Sequence, residues 1–367
     1  MKPAIVVVAY NRDDSLRRIL RSIESAVYDE DNIELIISID YSENKKVREC
    51  AEKFSWKHGE KRIVVHAERM GLKRHILECG NYASEYGSII MLEDDLYVSP
   101  DFYNFASRAL EFTSAYPQIG GVSLYAHKFN VFARLPFEPI DDGYDNWYFQ
   151  FASSWGQAWT SDQWEGFAGW LEKHDGEDIS GNGLPSNVAA WGESSWLKYA
   201  IKYLIETDKY FLYPRISYTS NFADAGEHAV HAVTDLQVPL AFGHRENFRF
   251  STILESGSVY DTYFENSLLS YESDLYGLKY RDSQMKTRFL LTTKALPYKI
   301  VESYGLLLKP MDANIVQKIA GHEIRLYDLS LRAREIKTDK GLLEDYFYPG
   351  MNRQKIFELM SYRLKNR

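Results

Sequence analysis

Three consecutive carboxylates, Glu93, Asp94 and Asp95, close the apolar run Ile89-Ile90-Met91-Leu92. Adjacent acids repel one another, and burying even one without a partner is costly. A divalent cation relieves both problems, and a ligand set made only of oxygen suits Mg2+ or Mn2+. A solvated acidic strand end is the other reading, and the acids alone leave both open. Their counterparts elsewhere add weight. Arg12, Asp40 and the cluster Lys73-Arg74-His75 also stand just past runs that read as strands. Arg12 offers a planar, permanently charged fork. Asp40 can accept hydrogen bonds from a base or a ribose hydroxyl. A basic cluster opening a helix meets phosphate with both charge and dipole. Singly, a surface ion pair explains each basic residue as well. Jointly, on one edge of one sheet, they suit a nucleoside diphosphate whose phosphates share a cation with Asp95.

The elements that must position these residues are legible as alternating strands and helices. Residues 4–9 and 33–39 read as buried strands, 62–66 as a third, and the run into Glu93 as a fourth. Helices follow with Leu16, Ile19, Leu20 and Ile23 on one face, then with Val47, Cys50, Ala51 and Phe54, then from Gly71 to about Tyr86. Ser99 reads as the N-cap and Pro100 as the first residue of the helix after the acids. This alternation predicts an α/β fold with a mostly parallel, Rossmann-like sheet and right-handed crossovers. Ligands of such sheets sit at the carboxyl ends of the strands. No Gly-x-Gly-x-x-Gly follows the first strand, which argues against a dinucleotide dehydrogenase. A fifth strand is expected over 119–125. Residues 127–150 read as a long loop, and Ser153 to Trp159 as the lead-in to a helix with Trp164, Phe167 and Trp170. The segment Trp191-Gly192-Glu193 leads into a further helix, 211–218 into a short strand, and 221–231 into a polar loop with His228 and His231. Residues 324–329 alternate like an edge strand. The end, from Asn352, is a basic helix with Ile356, Leu359, Met360 and Leu364 on one face; it would dock on its own domain or lie on an anionic membrane.

The chain has 367 residues, 45% hydrophobic and 26% charged, enough for one large α/β domain with additions or for two domains. A net charge of −9 argues against nonspecific nucleic-acid binding. The two cysteines, Cys50 and Cys79, fall in expected helices and suggest packing rather than a disulfide framework or a zinc site. The amino terminus is too short before its first strand for a signal peptide, and no stretch is long enough to span a bilayer. A cytoplasmic protein is therefore expected, with peripheral membrane contact through the basic helix as an option. With 27 Tyr and 8 Trp, the chain carries aromatics suited to sugar faces as well as to a core.

Val6-Val7-Val8-Ala9-Tyr10-Asn11-Arg12, Ser38-Ile39-Asp40 and the segment from Leu92 to Phe102 resemble glycosyltransferases of the GT-A fold. The acidic segment is similar to the metal-binding motif of N-acetylglucosaminyltransferase I and its relatives. Gly71-Leu72-Lys73-Arg74 and Trp155-Gly156-Gln157-Ala158-Trp159 are similar to bacterial family 2 transferases. The resemblance spans residues 4–240 and implies a GT-A domain there. Within it, 1–125 would bind the nucleotide-sugar and 126–240 would carry the acceptor and catalytic half. Residues 241–367 would form a mainly helical extension without an assigned role. It also implies that Tyr10, Arg12, Asp40, Lys73, Arg74, Glu93 and Asp94 face the donor, and that Asp95 ligates Mn2+ or Mg2+ with His228 as a second candidate. Trp191-Gly192-Glu193 is similar to a Trp-Asp-Asp segment that carries the catalytic base, which makes Glu193 the base. Gly192 departs from that pattern, as does Glu in place of Asp. Trp155, Trp159 and Trp191 would floor the acceptor site. The implied function is a metal-dependent inverting transfer from a nucleotide-sugar, with UDP as the expected nucleotide. The acceptor would be a saccharide or a lipid-linked saccharide in surface polysaccharide, capsule or lipopolysaccharide synthesis. The alternatives are a sugar-phosphate nucleotidyltransferase and a non-catalytic carbohydrate-binding protein on the same fold.

Overall fold

The structure is a computed structural model, and it describes residues 1–222, 236–283, 287–334, 341–350 and 353–365. The chain divides into two compact units. The first holds Met1–His127 and Asp141–Thr262, the second Lys128–Ile140 and Tyr263–Arg367.

In the first unit, strand β1 (Ala4–Ala9) is buried at every position, as a strand covered on both faces must be. It pairs in parallel with β2 (Leu35–Ile39) on one side and with β4 (Ser88–Glu93) on the other. β3 (Lys61–Val65) extends the sheet in parallel beyond β2. Helix α1 (Asp13–Glu24) buries Leu16, Ile19, Leu20 and Ile23 and carries two acids in its first turn, where the helix dipole favours them. α2 (Lys45–Lys53) starts at Asn44, whose side chain accepts a hydrogen bond from the Lys46 amide. α3 (Leu72–Gly80), α4 (Tyr82–Tyr86), β5 (Leu96–Val98), α5 (Phe102–Thr113) and β6 (Ile119–Ser123) follow. α5 begins two residues later than its sequence suggests. Ser99 still acts locally as a cap, since its hydroxyl accepts from the Asp101 amide at 3.1 Å.

Beyond β4 the sheet changes character. Gln157–Thr160 runs antiparallel between β4 and β6, so the segment expected to lead into a helix is a strand in the middle of the sheet. The helix itself starts at Ser161, with Thr160 and Gln163 forming a reciprocal capping box. Tyr210–Pro214 lies parallel to β6, Asn146–Phe149 lies antiparallel to it in turn, and Val259–Tyr260 closes the nine-stranded sheet. Asn146–Phe149 corrects the reading of 127–150 as one long loop. Four consecutive buried residues, three of them aromatic, carry no alternation and follow a run of acids, so their pattern does not announce a strand.

The second unit contains a four-stranded sheet made of Glu272–Asp274, Phe289–Thr292, Ile324–Arg332 and Tyr298–Tyr304 in that spatial order. Ile324–Arg332 is paired on both sides and is therefore interior rather than an edge. Only its last three residues, Ser330 to Arg332, are exposed. On the helix Arg353–Lys365, Phe357, Met360, Tyr362 and Leu364 are exposed.

Candidate active site

The carboxyl ends of β1, β2 and β4 open into a cavity of about 620 Å³. Tyr10, Asn11 and Arg12 line it from the β1 loop, Asp40 from the end of β2, and Glu93, Asp94 and Asp95 from the end of β4. Val8 is in register with Glu93, and Ala9 with Ile39, so sheet register alone puts these residues side by side.

Arg12 is the electrostatic centre of this wall. Its guanidinium is hydrogen-bonded to Asp94 and lies 3.2 Å from Asp95. Burial works against its charge, but the two carboxylates outweigh that effect and hold the proton on. Glu93 is likewise pushed toward its protonated form. Lost hydration raises its pKa, and Asp95 and Asp94 add to the rise against the pull of Arg12. Two acids, Asp94 and Asp95, thus share one guanidinium, and the wall keeps an excess of negative charge. Asp95 also accepts a 3.4 Å hydrogen bond from the Asn221 amide, beyond which lies the expected His228–His231 loop, outside the described residues.

Asp40 organises the loop before α3. Its carboxylate accepts from the backbone amides of Tyr41 and Met70 at 2.8 Å each and of Gly71 at 3.0 Å. Gly71 adopts φ of 75°, a conformation that suits glycine and turns its N–H toward Asp40. This arrangement brings Arg69 to the cavity wall, with its guanidinium 4.0 Å from the centre of the Tyr10 ring. Sequence reasoning missed Arg69, because a single Arg on a loop has no periodic signal. His75 also lines the cavity. Its Nε2 is 2.8 Å from the Ser38 hydroxyl, which in turn is 3.2 Å from His66 Nε2. Burial lowers His75 to about 4, with Asp40 opposing and His66 assisting, so the ring is neutral near pH 7. The other members of that cluster stand elsewhere. Lys73 pairs with Asp175 and sits 4.0 Å from the centre of the Tyr199 ring, and Arg74 is exposed. Neither lines the cavity, because successive positions on a helix point in different directions.

The remaining wall comes from two separated segments. Ser154 and Trp155 form one part, Trp191, Gly192, Ser194, Ser195 and Trp196 the other. Trp155 packs edge-on to Tyr125. Trp159 is not on this wall. It lies in the core against Trp164 and Phe211, and its indole N–H donates to Gln157 at 2.8 Å. Glu193 belongs to the wall segment, but its side chain is 77% exposed and is not part of the lining. Lys198 donates to one of its oxygens and Tyr199 to the other, each at 2.6 Å. These two donors hold the Glu193 carboxyl below its ordinary range. Both went unread in the sequence, where their helix looks like a plain core helix.

Among the described residues, no group of three or more His, Cys, Asp and Glu side chains is arranged to hold a metal ion. The donor chemistry of the β4 wall nonetheless fits a hard divalent cation: all oxygen, and more negative charge than Arg12 neutralises.

Residues 4–123 match the family described as Glycosyl transferase family 2, a match that ends with β6. No curated protein matches the chain. Among solved structures, the mannosyltransferase PcManGT from Pyrobaculum calidifontis, in complex with GDP-Man and Mn2+, aligns at 18% identity over 47% of each chain, with a TM-score of 0.33. TarS of S. aureus aligns at 12% identity over 60% of this chain and 36% of that one, TM-score 0.38. A TarS 1–349 structure in complex with UDP aligns at 9% identity over 59% of each chain, TM-score 0.37. The chain thus spans less than two thirds of the length of each of these structures.

Proposed function

We propose that this protein is a glycosyltransferase that takes a sugar from a nucleoside-diphosphate donor and inverts the anomeric carbon. The observation that carries the reading is the cavity at the ends of β1, β2 and β4, where Arg12, Asp40, Asp94 and Asp95 meet within the segment that matches Glycosyl transferase family 2. Asp40 and Arg69 offer an acceptor and a cation beside the flat Tyr10 ring, a setting suited to a nucleoside. Arg12 stands where the donor's phosphates would lie, with Asp94 and Asp95 beside it.

Asp95, with Asp94 next to it, is the proposed holder of Mn2+ or Mg2+. Such a cation, when bound, stabilises the charge that builds on the departing diphosphate. At ~4 Å and an effective dielectric of ~20, one charge pair is worth about 4 kcal/mol before desolvation. Glu193, on the segment that brings Trp191 and Ser194 to the cavity, is the proposed base. The acceptor oxygen bonds the anomeric carbon as the bond to phosphate breaks, and its proton passes to the Glu193 carboxylate. With base and leaving group on opposite sides, direct displacement inverts the centre. Trp155 and Trp191 present apolar faces suited to an acceptor sugar. The donor proposed is a UDP-sugar, and the acceptor a saccharide or lipid-linked saccharide of a surface polysaccharide.

Peripheral contact with an anionic membrane through residues 352–367 belongs to the same proposal. Five basic residues against one acid in that stretch, and the exposed Phe357, Met360 and Leu364, support it. The test of the central reading is turnover of a panel of UDP- and GDP-sugars with and without Mn2+. Metal-dependent release of nucleoside diphosphate is expected, and the absence of both binding and turnover across the panel refutes it.

A further inference from the structure

The carboxylate assigned as base is an exposed side chain on a connecting segment, and such a side chain ordinarily samples several rotamers. Glu193 is held from both sides instead. Lys198 Nζ lies 2.6 Å from its Oε1 and 3.1 Å from the Trp191 carbonyl, which it also donates to. The Tyr199 hydroxyl lies 2.6 Å from its Oε2. Both donors sit on the first turn of the helix Trp196–Glu206, whose cap, Ser195, belongs to the wall segment. Lys198 is almost fully buried and so carries its charge to a fixed place. The Tyr199 ring is braced in turn by the Lys73 ammonium, itself paired with Asp175. Neither Lys198 nor Tyr199 lines the cavity. Any effect on what binds there runs through the segment they hold.

Resting on the reading of Glu193 as base, we infer that Lys198 and Tyr199 are positioning residues that aim the Glu193 carboxylate at the acceptor hydroxyl, with Lys73 bracing the Tyr199 ring. A carboxylate accepts at about four lone-pair sites. One donor on each oxygen fixes its plane and leaves room for the acceptor's O–H. The same donors favour the ionised form, so the group stays a carboxylate to lower pH. Tyr199 is raised to about 12, by burial first and by Glu193 next, and so remains a donor throughout the working pH range.

The test compares Tyr199→Phe, Lys198→Met, Lys198→Arg and Glu193→Gln with the parent chain. One readout is nucleoside diphosphate release from UDP-glucose, UDP-N-acetylglucosamine and GDP-mannose with Mn2+ across a range of pH. The other is the 13C NMR titration of the Glu193 carboxyl in glutamate-labelled protein, assigned by the signal that Glu193→Gln removes. Tyr199→Phe is expected to lower kcat about tenfold with KM nearly unchanged. It should also move both the acid limb of kcat and the Glu193 titration to higher pH. Lys198→Met should do so more strongly, and Lys198→Arg should recover part of the loss. Should Lys198→Met fail to fold, Tyr199→Phe, which removes one hydroxyl, still decides. An unmoved Glu193 titration in Tyr199→Phe overturns the inference, even if kcat falls. A Glu193→Gln enzyme with near-parental kcat instead refutes the base itself, and does so independently of the titration.

Discussion

The two walls of the cavity are built on different principles. The wall at the ends of β1, β2 and β4 is made of residues at the last position of a parallel strand or within three positions beyond it, and sheet register fixes their spacing. Its charges compensate one another directly, Arg12 against Asp94 and Asp95, and Asp40 against backbone amides. The other wall is assembled from residues some 40 positions apart, with the strand Gln157–Thr160 and the helix Ser161–His174 between them, and its one acid is exposed. Fixed spacing and ready-made charge suit recognition of a constant group such as a nucleoside diphosphate. A wall of connecting segments with Trp faces suits a partner that varies.

Removing an acid from the sheet-end wall should have the largest effect. Asp95→Ala is expected to abolish Mn2+-dependent nucleotide-sugar binding, a loss of more than about a hundredfold, measured by calorimetry with UDP-sugars. Binding at parental affinity would remove the cation from this wall. On the other wall, Glu193→Gln should spare donor binding and cost about 10²–10⁴-fold in kcat. If it weakened donor binding as much as Asp95→Ala does, the division of labour between the walls would fail.

The tryptophans sharpen the contrast at smaller scale. Trp159→Ala should destabilise the fold by about 3–5 kcal/mol in urea unfolding, since it empties a core site beside Trp164 and Phe211. Trp155→Ala should cost less stability and raise acceptor KM instead. An effect of Trp159→Ala confined to acceptor KM would return that residue to the cavity.

The smallest expected effect is a pH dependence near β5 and α5. His244 Nδ1 lies 2.8 Å from the buried Asp101 carboxylate, a hydrogen bond that raises the His244 pKa against the effect of burial, with Asp29 adding to the rise. A raised folded value means that the stabilisation is complete below the ordinary histidine range and is lost as pH climbs through the folded value. The urea midpoint should therefore fall as pH rises above the ordinary histidine value of about 6.5, and His244→Gln should flatten the fall. An equal fall in the variant would show that another group is responsible.

Much of the sheet-end wall was legible beforehand, and the reason is local. A buried parallel strand is a short apolar run, and the polar residue that ends it marks where the chain reaches the sheet's edge; Arg12, Asp40 and Asp95 needed no more than that. Lys73 shows the limit of the same logic, because helix phase turns it toward Asp175 and Tyr199, and one residue of phase is beyond what a pattern fixes. The strands Asn146–Phe149 and Gln157–Thr160 were not legible, since a four-residue strand buried at every position has no period to read. By itself, then, the sequence determined the βα alternation and the acids and the Arg12 fork at its strand ends, because neighbours along the chain settle those features. Only the tertiary structure decided that Trp159 is core, that Arg69 reaches the cavity, and that Lys198 and Tyr199 hold Glu193, because those contacts join segments whose meeting depends on how the whole sheet is wound.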